Sequence, residues 1–249
     1  MDRAFRKGHL EIDFPTEKFD SLGELLLRAT RLFFSTLPFL AAVTLSVYLP
    51  AKLALQSALY ALDVPGEGIL SYFLMDSCDL ILSALVIPAI VYGLVARLRT
   101  GKTPPIAESL RWGRRQWGKT LWNKVKVEIT IALWSLFLVV PGVVAMMKLI
   151  FTDVIVAIEA DREREVLQRS RNLSEGHRWR IFVALLPALP LSLVHLYATL
   201  RTLQYAPAAM VPVDGLFAVL DQWMNVVILL IYLGLTVPVK PAIGMRKAA

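Results

Sequence analysis

Ionisable side chains inside long apolar stretches are the first residues to weigh, because a charge held in hydrocarbon is costly and marks a site of proton, ion or solute chemistry by default. Five such residues occur: Lys52, Glu128, Lys148, Asp153 and His195. Lys52 and Lys148 read as lying near the outer ends of their apolar runs, where the aliphatic stem lets the ammonium reach water, and Glu128 as lying within reach of the opposite interface. Asp153 is the deepest of the acids. With Lys148 and His195 it forms the candidate intramembrane polar site, in which Asp153 either couples to an ion or proton or makes a polar contact between helices. His195 follows Pro187 and Pro190 in its apolar run and reads as an interhelical hydrogen-bonding group. Catalytic and metal chemistry lack the residues they need. There is no HExxH, phosphate-binding glycine loop or GxSxG elbow, the three histidines are scattered, and Cys78 is the single cysteine. We therefore expect a protein that is not an enzyme and carries no cofactor or metal.

The elements that must carry these residues follow from composition. Of 249 residues, 56% are hydrophobic and 19% charged, and the mean hydropathy is +0.57. Soluble domains have about 25% charged residues. These values point to an all-α polytopic membrane protein. A crossing needs about 20 mostly apolar helical residues, since every backbone amide must be bonded within the segment. Such runs occur at 32–55, 80–95, 181–200 and from 211 or 223 to 239. Residues 127–159 form a longer apolar run, interrupted by Pro141-Gly142, Lys148 and Asp153. As one helix it would extend about 50 Å at 1.5 Å per residue, more than the hydrocarbon core. The Pro-Gly pair is expected to stop the helix and turn the chain, giving two spans or a re-entrant hairpin.

Basic residues, which collect in cytoplasmic loops, support that reading. Six lie in residues 1–31, none in 56–79, nine in 97–126, six in 160–180 and three in the tail, so 24 of the 27 fall on one side. The expected organisation is a cytoplasmic N-terminal segment, 1–31, with an amphipathic helix; a six-helix transmembrane domain, 32–239, with a cytoplasmic basic loop at 97–126 and a cytoplasmic helix at 160–180; and a cytoplasmic tail, 240–249. Ser21 and Glu24 have capping-box spacing at the start of the first helix. The expected location is a bacterial cytoplasmic membrane with both termini inside, and 31 largely polar residues before the first apolar run argue against a signal peptide.

The basic loop is a candidate membrane-surface helix. From Pro105 onward, Ile106, Leu110, Gly113, Trp117 and Leu121 share a helical stripe, with Trp112 and Trp122 near its edges. Arg111, Trp112, Arg114, Arg115, Trp117 and Lys119 are the residues expected in the headgroup layer, facing anionic phospholipid. Nucleic acid is not an expected partner, because the segment is tethered between spans and has no recognition motif. A membrane-protein partner or a second copy of the chain is left open.

Residues Pro141-Gly142, Glu159, Leu167, Ser170, Leu173, Gly176, Trp179 and Phe182 form a pattern that resembles a bacterial integral-membrane family. That family includes the YciC-like proteins and the membrane domain attached to some glycerophosphodiester phosphodiesterases. The resemblance covers residues 105–185. It implies the six-helix architecture and no defined activity, and this chain has no phosphodiesterase domain to which that activity could belong. A weaker resemblance joins Gly176, Phe182 and Leu186-Pro187 to the coupling loop of ABC-transporter permeases, and would imply an ATPase docking on residues 160–178. Two functions follow as expectations. One is a membrane-organising, lipid-associated or transport-accessory protein with a dry core; the other is a small transporter or permease subunit with a polar cavity between its helices.

Overall fold

The computed structural model describes residues 21–64, 68–159, 165–205 and 209–236, which are helical and include no strand. The expected segments 1–20 and 240–249, and the start of the 160–180 helix, lie outside the described residues. Among the described residues ten helices follow in order: α1 Leu22–Ala61, α2 Ile69–Thr100, α3 Ile106–Phe137, α4 Val139–Leu149, α5 Thr152–Ile158, α6 Val166–Ser174, α7 Arg178–Leu185, α8 Ala188–Tyr205, α9 Met210–Leu220 and α10 Gln222–Thr236.

Helix α1 starts where its sequence says it should. The Ser21 hydroxyl accepts the Glu24 amide at 3.2 Å, and Arg28 bonds Glu24 one turn later at 2.7 Å. The amphipathic lead-in and the first apolar run are one helix of 40 residues. Its buried positions, Leu25, Ala29, Phe33, Thr36, Leu40, Thr44, Tyr48 and Lys52, recur at three and four residues and form the stripe that packs on α2, α9 and α10.

Helices α2 and α3 lie antiparallel and in close contact. Gly113 rests against the Leu85 carbonyl and Ala89, where any side chain would collide with backbone. The adjacent Trp112 stacks on Tyr92, with ring centroids 5.4 Å apart, while the Tyr92 hydroxyl bonds Glu108. Trp117 donates its indole N–H to the Ile81 carbonyl at 3.1 Å. The buried seam of α3 is Ser109, Trp112, Gly113, Gln116, Thr120 and Asn123.

The run at 127–159 folds back on itself as expected, but not where the Pro-Gly pair suggested. The break is at Leu138, whose φ of −167° and ψ of 150° are extended. Pro141 and Gly142 instead fall in the first turn of α4. Proline suits that turn because its missing N–H is one of those that would have no helical partner there. Gly142 lets the returning arm press against Ser135. Further along, Lys124 meets Asp153 at 3.1 Å and the Trp112 N–H reaches the Ala157 carbonyl at 3.2 Å, so α3 pairs with α4 and then α5 along its length.

Among the described residues, four helical stretches are long and apolar enough to cross a membrane: Leu22–Ala61, Phe73–Thr100, Val139–Ile158 and Met210–Thr236. The pair Arg178–Leu185 and Ala188–Thr202, bent by 42° where Pro187 breaks the backbone ladder, makes a fifth when the two are taken as one broken span. The sixth expected span is absent from this set. Its residues, 127–137, are the end of α3, whose preceding part is the basic segment, so that no separate apolar helix forms there. Large apolar side chains such as Phe34, Leu133, Phe137, Leu193 and Leu196 point outward, as a multi-pass membrane protein requires.

Candidate functional site

Charged side chains converge where α1, α2, α8 and α9 meet. Lys52 is 5% exposed, and its Nζ lies 2.9 Å from Asp79 Oδ2 and 3.2 Å from Asp214 Oδ2. The other Asp214 oxygen faces His195 Nε2 at 3.5 Å, and the imidazole stacks on Phe217 with centroids 4.4 Å apart and planes 12° from parallel. The order His195, Asp214, Lys52, Asp79 is thus a chain of alternating polar groups drawn from four helices. A buried ammonium between two carboxylates satisfies the need of each buried charge for a partner. Asp79 Oδ1 is buried with no hydrogen-bond partner among the described residues, so one acceptor of the chain is left open.

The chain forms part of the wall of a cavity of about 1170 Å³. Five carboxylates line it, Asp76, Asp79, Glu128, Asp214 and Asp221, against the ammonium groups of Lys52 and Lys124. Lys124 already has Asp153 as its partner. The field inside therefore favours a positive charge. Polar groups continue along α10: Gln222 donates to the Ala218 carbonyl at 2.8 Å, and Asn225 donates to Gln222 at 2.9 Å. Among the described residues, no group of three His, Cys, Asp or Glu side chains is placed to hold a metal ion.

Of the expected intramembrane site, only His195 belongs to this cluster. Asp153 is taken by Lys124 on the hairpin, and Lys148 lines a separate, smaller pocket beside α6 and α7. Lys52 was expected to reach water past the end of its run, and it is buried in an ion pair instead. The reason is that α1 continues to Ala61, which carries the lysine inside the bundle. Asp79 and Asp214 were absent from the sequence candidates because the second run was drawn from residue 80 and the start of the last was left between 211 and 223. Each nonetheless lies within a helix, and Asp214 interrupts an otherwise apolar run, which is the signal that marks such a residue.

The surface set divides. Arg111, Arg114 and Arg115 are exposed, Lys119 is half-buried, and Trp117 remains 40% exposed beside its bond to Ile81. Trp112 is a correction: at 9% exposure, stacked on Tyr92 and bonded to Ala157, it is a packing residue between three helices and not an interfacial anchor. Trp122 takes the outward position instead, 62% exposed with the Lys126 ammonium 5.0 Å above its ring.

Of the motif residues, Pro141 and Gly142 lie at the start of α4, and Ser170 sits at the break between α4 and α5. Ser170 accepts the Phe151 amide at 3.2 Å and donates to the Lys148 carbonyl at 3.0 Å, satisfying two backbone groups that the interrupted helix would otherwise strand. Glu159 closes α5 by pairing with Arg169 at 2.6 Å and accepting the Tyr232 hydroxyl at 2.6 Å. Desolvation works against the Arg169 charge, but Glu159 outweighs it and holds the guanidinium above its ordinary value. Leu167 and Leu173 pack on the core, Gly176 ends α6 at φ +77°, and Trp179 is 75% exposed, stacked on Phe182. These residues hold α6 across the broken helix. Comparison of the chain with protein-family models, with curated proteins and with solved structures finds no match.

Proposed function

We propose that this is a non-enzymatic, multi-pass protein of a bacterial cytoplasmic membrane that binds a small cationic or zwitterionic solute in its cavity and carries it across. The observation behind this reading is Lys52, an internal cation held between Asp79 and Asp214 at the wall of an acidic cavity lined by six helices, α1, α2, α3, α8, α9 and α10. A solute ammonium fits the same carboxylates, and exchange of one cation for the other opens or closes the chain to His195. A dry core would have suited a purely membrane-organising protein; a cavity of this size lined by ionisable groups supports a carrier. The resemblance to the YciC-like family and the placement of both termini in the cytoplasm belong to the same proposal, supported by the motif around Glu159 and Ser170 and by the one-sided distribution of basic residues.

The test is a thermal-stability screen of the purified protein against organic ammonium and carboxylate solutes, followed by uptake into reconstituted vesicles. Ammonium solutes should raise the unfolding temperature, by an amount equivalent to about 1.4 kcal/mol at ten times Kd. Asp214→Asn should remove that gain and the uptake with it. A screen in which neither class stabilises the protein, together with uptake no faster than into empty vesicles, rejects the carrier and returns the membrane-organising reading.

A further inference from the structure

The second pocket, about 330 Å³, lies between the α3–α4 hairpin and helices α6 and α7. Its two ends differ in chemistry. At one, Lys148 from α4, Arg171 from α6 and Arg178 from α7 bring three cations together, with Glu175 as the acid among them. None of the three cations is ion-paired among the described residues, and Arg178 Nε is buried with no hydrogen-bond partner. At the other end the wall is Trp134, Pro141 and Val144. Lys148 is seven residues from Pro141 on the same stretch of helix, so the two ends are about 10 Å apart.

The apolar end continues onto the tip of the hairpin. Leu136, Phe137, Leu138, Val139 and Val140 are each 69–82% exposed, an uninterrupted apolar surface. Three cations with one acid and an open donor want an anion with several acceptor oxygens, while the adjoining wall wants hydrocarbon. A single ligand meets both demands when it has a phosphate at one end and an acyl chain at the other.

We infer that the slot between the hairpin and α6–α7 is a binding site for an anionic phospholipid, its phosphate held by Lys148, Arg171 and Arg178 and its acyl chain laid along Trp134, Pro141 and the hairpin tip. The site is separate from the basic face of α3, and it does not depend on the carrier reading, because it shares no lining residue with the Lys52 cavity. It joins α4 to α6 and α7 through the lipid, across the same break that Ser170 bridges through hydrogen bonds.

The experiment is fluorescence quenching of the full chain in vesicles by lipids brominated on the acyl chain, with Trp134→Phe used to isolate the Trp134 contribution. Brominated phosphatidylglycerol should quench Trp134 at a far lower mole fraction than brominated phosphatidylcholine. Each cation removed should cost about fivefold in that preference, and Lys148→Gln, Arg171→Gln and Arg178→Gln together about a hundredfold. Should the triple variant fail to fold, Arg171→Gln alone, at an exposed position, should still give the single step. Equal quenching by both lipids in the unaltered protein, or a preference that survives the substitutions, overturns the proposal. Loss of the preference on adding millimolar inorganic phosphate to the unaltered protein would assign the cations to a soluble anion and overturn the lipid as its source.

Discussion

Lys52 shows how one side chain can set the condition of several helices. Its ammonium balances Asp214, whose side chain is 13% exposed, and Asp79, whose side chain is 41% exposed although its second oxygen is buried with no partner among the described residues. Removing the cation leaves Asp214 buried beside a second acid, and breaking a buried pair in this way costs about 3–5 kcal/mol. Lys52→Met is therefore expected to lower the unfolding temperature in detergent sharply. Adding Asp214→Asn should recover much of the loss, because the double variant no longer holds an unpaired buried charge. Equal melting of the two variants would show that Asp79 alone carries the lysine. The contrast with Asp153 is instructive: that acid is also within an apolar run, but Lys124 faces it directly across the hairpin, which makes it a local clasp.

At the scale of the element, α3 carries two glycines with opposite roles. A methyl group at Gly113 would strike the Leu85 carbonyl, and backbone cannot retreat as a flexible side chain can. Gly113→Ala should destabilise the protein by about 1–3 kcal/mol through overpacking. Gly118 meets nothing within 4 Å, so Gly118→Ala should stabilise the helix by up to about 1 kcal/mol. Thermal melts of the two variants check the packing of α3 on α2. If both changes were neutral, α3 would not lie on α2 as described. The basic helix was legible in the sequence as a helix with tryptophans at its flanks. The face it buries was not, because the seam of Ser109, Gln116, Thr120 and Asn123 is polar; Thr120 and Asn123 bond back to carbonyls of their own helix, and the seam becomes a packing surface only when α2 and α5 lie against it.

For the whole molecule, orientation in the membrane is the property that decides every other assignment. In a Cys78→Ser background, a single cysteine in place of Asp63 should react with a membrane-impermeant thiol reagent added to intact cells, and one in place of Arg114 should react only after lysis. The reverse pattern would invert the topology and place the acidic cavity toward the cytoplasm. Composition and apolar run length were enough to specify helices of spanning length, since both depend only on the need of a backbone in hydrocarbon to bond with itself. The capping of α1 by Ser21 and the termination of α6 at Gly176 were likewise readable, because those signals act within a few residues of chain. The return of the chain near residue 140 was readable, but its position at Leu138 depended on how Gly142 meets Ser135. The joining of Lys52 to Asp79, Asp214 and His195 spans up to 162 residues of sequence, and no local pattern encodes it. Charges find their partners through the packing of whole helices, so the tertiary structure alone decided which acids and bases share a cavity.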